Sequence, residues 1–161
     1  MPPVLIVAYG NPLRSDDGLA WRASDQLEGK FPQSEVEILR VHQLMPELAE
    51  TVSRSRAVIF VDAASAVATG NGHPGKVCCE EIRESVTESG FSHHLSPPTV
   101  LALAHQLFDA SPRAFSVTLT GQCFDHGDAL SPIVTAALPA LAARIEAIIR
   151  QLLREQAPLL E

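Results

Sequence analysis

Two short runs, Val4-Leu5-Ile6-Val7-Ala8 and Ala57-Val58-Ile59-Phe60-Val61, are apolar at every position. A strand with one face in water alternates polar and apolar residues. Runs like these instead fit strands covered on both faces, as in a parallel sheet flanked by helices. That requirement constrains the fold more than any other feature of the chain, because parallel strands need crossover connections, and those are usually helical.

The segments between the runs have the required pattern. Leu19, Ala20, Ala23 and Leu27 recur at helical spacing, and Gly29 and Pro32 close that segment. Residues 36–41 show the β pattern of a second strand, and residues 46–52 read as a short helix with Pro46 in its first turn. The Ala-, Gly- and Ser-rich stretch 63–75 has no helical stripe and leads into residues 77–82, a mixed strand suited to a sheet edge. Without a crossover helix before it, that strand is expected to run antiparallel. Ser96-Pro97-Pro98 is a helix start with Ser at the N-cap, ahead of the apolar residues 100–108; the helix ends before Pro112. Residues 114–120 make a fifth strand, and Ser131-Pro132 opens a long helix that runs to about residue 153. Pro139 inside it predicts a kink or an earlier helix start. A frayed tail is expected from about residue 154.

The expected architecture is a single α/β domain over residues 1–161. It is a three-layer α/β/α sandwich around a twisted, mostly parallel five-stranded sheet with one antiparallel edge strand. A chain of 161 residues is one domain's worth and can bury a substantial core. A formal charge of −7 argues against a nucleic-acid backbone or an anionic membrane as partner. The run at 4–8 is too short for a signal h-region or a membrane span, so a cytoplasmic protein is expected. Cys78, Cys79 and Cys123 are odd in number and lack CxxC spacing, and they read as core or edge-strand thiols.

The chemistry concentrates where the apolar runs stop. After the first come Tyr9 and then Gly10-Asn11-Pro12-Leu13-Arg14-Ser15-Asp16-Asp17-Gly18. In an open α/β sheet the carboxyl ends of the strands border the ligand crevice. Gly10 and Asn11 are the residues expected to take the unusual backbone angles of the turn, and Pro12 stiffens it. Taken alone, the aspartate pair is equally a helix cap or a ligand site. The second apolar run ends at Asp62, and with strands one and three as neighbours Asp17 and Asp62 would face one crevice. Asp62 by itself reads as the cap of a following turn. The loop before the Ser-Pro-Pro helix adds Ser92-His93-His94-Leu95. Two carboxylates and an imidazole are ligands suited to Zn²⁺, Ni²⁺ or a similar ion, in an incomplete cage open to an exchangeable ligand. His42, His73, His105 and His126 are scattered and read as structural or solvated. There is no GxxxxGKS/T, GxGxxG after the first strand, HExxH or GxSxG, so nucleotide binding, zincin chemistry and a serine elbow lack their signatures.

Together, the Gly10-to-Gly18 loop, Asp62 after an apolar strand, and Ser92-His93-His94-Leu95-Ser96-Pro97 resemble the hydrogenase maturation endopeptidases, with Leu130-Ser131-Pro132 a weaker further match. The resemblance spans nearly the whole chain. It implies an endopeptidase that trims a C-terminal peptide from the large-subunit precursor of a [NiFe] hydrogenase after nickel insertion, with the precursor's nickel as recognition signal. The family's metal-contacting positions fall on Asp17, Asp62 and His93, with His94 the alternative if the loop register differs. The implied cofactor is nickel carried by the substrate, with no tightly bound metal of the protein's own, and the implied state is a monomer. Asp17 is the residue expected to assist attack by water, leaving Asp16 a local structural role. Two other readings are a non-cleaving, nickel-dependent docking or chaperone protein for hydrogenase assembly, and a metal-dependent hydrolase of a small amide. The sequence departs from the family at Ser15, where glycine is common, and at Ala20, where glycine is usual, so the first helix is expected to sit slightly differently against the sheet.

Overall fold

Alternate residues of the two apolar runs feed different cores. In a computed structural model describing residues 3–66, 72–85 and 95–156, Val4, Ile6, Ala8, Ala57, Ile59 and Val61 pack on one face of the sheet, and Leu5, Val7, Val58 and Phe60 on the other. The period of two along a strand, applied to strands with no polar position, demands helices on both sides.

The chain runs β1 (Val4–Tyr9), α1 (Leu19–Leu27), β2 (Val36–Val41), α2 (Leu48–Ser53), β3 (Ala57–Ser65), β4 (Val77–Ile82), α3 (Pro97–Phe108), β5 (Arg113–Gly121) and α4 (Pro132–Gln156). The sheet order is β2-β1-β3-β5-β4. All pairings are parallel except β4 with β5, which is antiparallel. This is the expected three-layer arrangement, with β1 between β2 and β3 and an antiparallel edge strand. Helices α1 and α4 pack together over one face, and α2 and α3 over the other.

Two element ends lie beyond the sequence reading, those of β3 and α4. Strand β3 does not stop at Asp62 but continues to Ser65, because β5 stays beside it and pairs Asp62 with Thr118 and Ser65 with Gly121. Helix α4 runs through Pro139 as one helix, starting at Pro132 as predicted. It remains helical to Gln156, beyond the expected start of the frayed tail. By length and apolar composition α4 could cross a membrane, yet here it lies on the sheet with Leu141, Ile145, Ile149 and Leu152 buried.

One polar residue is sealed inside this frame. Asp16 is fully buried. Its carboxylate accepts the backbone N–H groups of Gln122 (2.7 Å), Cys123 (2.9 Å) and Ser131 (2.8 Å) and the Ser131 hydroxyl (2.8 Å). Burial opposes the charged form, but the amides of Cys123, Ser131 and Gln122, with the Ser131 hydroxyl, outweigh it and hold the carboxyl below its ordinary range. The structural role expected for Asp16 is therefore present but not local, since it ties the first loop to the connection between β5 and α4. Cys123 accordingly sits in that connection, not in a strand or the core.

Asp16→Ala removes the acceptor of three amides, and each buried donor left unpaired costs about 1–3 kcal/mol. The expected loss is about 3 kcal/mol or more, a fall in Tm of roughly 6–12 °C for a domain of this size. Ser131→Ala, which removes one hydroxyl bond, should cost about 1 kcal/mol. Because the folded-state value is lowered, the stability from ionised Asp16 is complete above the usual carboxyl range and is lost as pH falls through the lower folded value. The difference in Tm between wild type and Asp16→Asn should therefore shrink from pH 7 to pH 3, and a gap independent of pH would refute this account.

Candidate active site

The loop after β1 is shaped by steric limits at its two glycines. Gly10 has φ +144°, and a Cβ there would lie 2.0 Å from the backbone oxygen of Asp17. A Cβ on Gly18 would lie 2.6 Å from Cα of Pro12. The loop thus folds back on itself with no room for side chains at either point. Asn11 does not take the positive φ expected of it. Its side-chain oxygen accepts the Leu13 N–H (2.9 Å), and its own N–H is donated to Oδ2 of Asp17 (2.8 Å). The left-handed residue is Ser15, at φ +54°. Only glycine adopts that conformation without strain, which gives a physical reason for glycine to be favoured there. Ser15 is held by its N–H to Gly127 O (2.8 Å) and by its hydroxyl to Asp125 O (2.8 Å).

These contacts leave Asp17, next to buried Asp16, with its carboxylate at the mouth of a cleft. The cleft, about 790 Å³, is bordered by Tyr9, Asp17 and Asp62 together with Arg14, His42 and Leu95. It opens at the carboxyl ends of β1 and β2, beside Asp62 within β3, and at the start of α3, where Ser96 and Pro97 form part of the wall. Asp62 occupies the first position past the last β1–β3 pair, Ala8 with Val61. Strand β3 goes on, but its neighbour on that side has left, and this exposes the carboxylate to the crevice.

Asp62 accepts the N–H of Ala63 at 2.8 Å, and the Tyr9 hydroxyl stands close enough to favour its charged form. Burial is the main force raising its pKa and the charge of Asp17 adds to it, while the Ala63 amide and Tyr9 pull the other way; the carboxyl is pushed up to about 7. Tyr9 in turn is driven far above its ordinary value by burial, then by the charge of Asp62. Asp62 is thus a partly dehydrated carboxyl that feels the charge of Asp17 beside it, an environment found at functional clefts.

The structure brings Asp17 and Asp62 together as predicted. His93 and its alternative His94 lie outside the described residues, although Leu95, two positions after His93, lines the cleft. Among the described residues, no three His, Cys, Asp or Glu side chains are placed to hold an ion together. His42 also lines the cleft, contrary to its reading as scattered. Its ring meets the edge of Trp21 at 5.2 Å, and the Trp21 indole N–H is donated to Val41 O (3.1 Å). The signal for His42 was available, since it directly follows β2, and the rule that singled out Asp17 and Asp62 applies equally to that strand end.

No family model and no curated protein sequence matches the chain. Solved structures do. The hydrogenase maturating endopeptidase HybD from E. coli superposes with a TM-score of 0.74 at 22% identity, covering 94% of this chain and 93% of that one. The fold is that of the hydrogenase maturation proteases. The [NiFe] hydrogenase maturation protease HybD from Thermococcus kodakarensis gives a TM-score of 0.69 at 22% identity, over 92% of this chain and 99% of that one. The protease HycI from Thermococcus kodakarensis KOD1 gives 0.70 at 19% identity, over 91% and 92% of the two chains.

The raised Asp62 has a consequence for the metal-free protein. A carboxyl whose folded value lies above its unfolded one favours the folded state while protonated, and that advantage disappears as pH rises from the ordinary carboxyl range through about 7. Asp62→Asn, which cannot ionise, should therefore be more thermostable than wild type at pH 8, with the gap closing toward pH 5. Equal pH dependence of the two melting curves would show that Asp62 is not held in an unfavourable charged state.

Proposed function

We propose that this chain is an endopeptidase that removes a C-terminal peptide from the nickel-loaded large-subunit precursor of a [NiFe] hydrogenase. Asp17, Asp62 and His93 meet the nickel carried by that substrate. The observation that carries the reading is the convergence of Asp17 and Asp62 in one cleft at the strand ends of a fold shared with hydrogenase maturation proteases. The match of the Gly10-to-Gly18 loop and the Ser92-His93-His94-Leu95 segment to that family supports it independently of the superposition.

The chemistry of the donor set fits a metal that arrives with the substrate. Two carboxylates and one imidazole make a partial coordination sphere, and thiolates of the precursor would complete it. Docking of the substrate's nickel against these residues would fix the scissile peptide bond beside Asp17. Asp17 then takes a proton from the attacking water as the oxygen adds to the carbonyl carbon. The C–N bond breaks as the leaving amine gains a proton. The cleft suits this division of labour, because Asp17 is held by an amide from Asn11, whereas burial raises the pKa of Asp62 and leaves it the poorer base near neutral pH. A cytoplasmic, monomeric protein acting without a tightly bound metal of its own completes the proposal.

The deciding experiment incubates purified large-subunit precursor, with and without nickel, with this protein and follows its mass. The loaded precursor should lose its C-terminal peptide and the empty one should not. Asp17→Asn should slow cleavage by about 100-fold or more, the range for loss of a general base. Asp62→Asn and His93→Ala should likewise fail to process it. Normal processing by Asp17→Asn, or equal cleavage of the empty precursor, would overturn the assignment.

A further inference from the structure

Hydrolysis of a peptide bond puts negative charge on the carbonyl oxygen as water adds, and ionised carboxylates in a cleft oppose that charge. Stabilising it takes a cation or an aimed donor. Among the described residues that border the cleft, Arg14 is the one lysine or arginine. In the Gly10-to-Gly18 loop the two glycines permit the close approach, Asp16 is the anchor and Asp17 faces the cleft; Arg14 is the remaining charged residue. Its backbone is held from both sides. The Arg14 N–H is donated to Asn11 O (3.1 Å), and Arg14 O accepts the N–H of Asp17 (3.1 Å), so the arginine and the proposed base leave one turn of chain. Leu13 O accepts the Gly127 N–H (2.9 Å) and the Ser15 N–H is donated to Gly127 O (2.8 Å), which makes Arg14 and Gly127 a bridge pair. The Arg14 side chain is exposed. Among the described residues its guanidinium makes no ion pair or hydrogen bond, although Asp17 and Asp62 border the same cleft.

We infer that Arg14 is a catalytic residue of the cleavage, its guanidinium binding the oxyanion that forms on the scissile carbonyl. The inference rests on the proposed function for the reaction and on the structure for the placement. As the water oxygen bonds to the carbonyl carbon, its proton passes to Asp17 and the C=O electron pair moves onto oxygen, where Arg14 donates to it. When that pair returns, the C–N bond breaks, its electrons stay on nitrogen, and the proton held by Asp17 completes the leaving amine. A guanidinium suits the role because it stays charged at any working pH and presents a rigid fork of N–H donors. Since Arg14 is paired with neither carboxylate, no ion pair has to break before it meets the developing charge.

Arg14→Ala changes an exposed side chain, and its Tm should stay within a few degrees of wild type. Its kcat on nickel-loaded precursor should fall about 100–1000-fold with KM changed far less, because the oxyanion exists only during reaction. Arg22→Ala, which removes an exposed arginine outside the cleft, should cleave as wild type does. Guanidinium chloride, kept below denaturing concentration, should restore part of the lost rate to Arg14→Ala, and NaCl at equal ionic strength should not. Wild-type kcat in Arg14→Ala, a loss confined to KM, or a loss that guanidinium fails to restore would each overturn the inference. Should wild type leave the loaded precursor uncut, the proposed function fails and the inference with it; equal cleavage by wild type and Arg14→Ala removes the inference alone.

Discussion

The carboxylate of Asp16 is the contact on which the rest of the site depends. A buried charge is tolerated only when its lone pairs are filled, and here three amides and a hydroxyl fill them. All four donors come from the connection between β5 and α4, so the loop after β1 cannot move without leaving those amides unpaired. Ser15, in a strained left-handed conformation, is pinned to the same connection through Gly127 and Asp125. With its two predecessors fixed, Asp17 has little freedom of its own, and one amide from Asn11 is enough to orient it. A rigid scaffold around Asp16 is what allows a loop residue to act as a placed reagent.

Adjacent aspartates with opposite fates show what a sequence can and cannot reveal. That one of the pair would be structural was legible from the position of the loop ahead of a helix. Which groups it would bind was not, because Gln122, Cys123 and Ser131 lie more than a hundred residues away and their backbone amides carry no side-chain signature. The sheet order, the antiparallel edge strand and the two helical layers were legible, since wholly apolar strands and the missing helix before β4 each allow few arrangements. The backbone angles were less so. The expectation placed a positive φ on Asn11, whereas the turn uses the Asn11 side chain and transfers the strain to Ser15.

The apolar run that stops at Asp62 reads as the end of a strand, but β3 continues for three more residues along β5. What ends at Asp62 is the apolar neighbourhood. Strand β1 has turned away into the Gly10 loop, so Asp62 keeps a strand neighbour only on the β5 side. The change from apolar to polar thus marks the end of a pairing, an event that coincides with a strand end only when both neighbours stop together. His42 follows the same logic on the other side of β1, directly after β2, a strand made less uniformly apolar by Glu37 and Arg40.

The electrostatics of the cleft bear on why a site of this kind would favour one form of a substrate over another. Asp62 is dehydrated and feels the negative charge of Asp17, so its ionised form is held at a cost that Ala63 and Tyr9 offset only in part. A cation delivered into the cleft would relieve the repulsion that helps raise Asp62 and replace its lost hydration, which an uncharged stretch of polypeptide does not do. Discrimination then needs no contact that recognises sequence. On the proposed reading, the strain between Asp17 and Asp62 makes the substrate's nickel the condition for docking, and the hydrogen bonds around Asp16 and Asp62 keep that strain from being relaxed by movement of the loop.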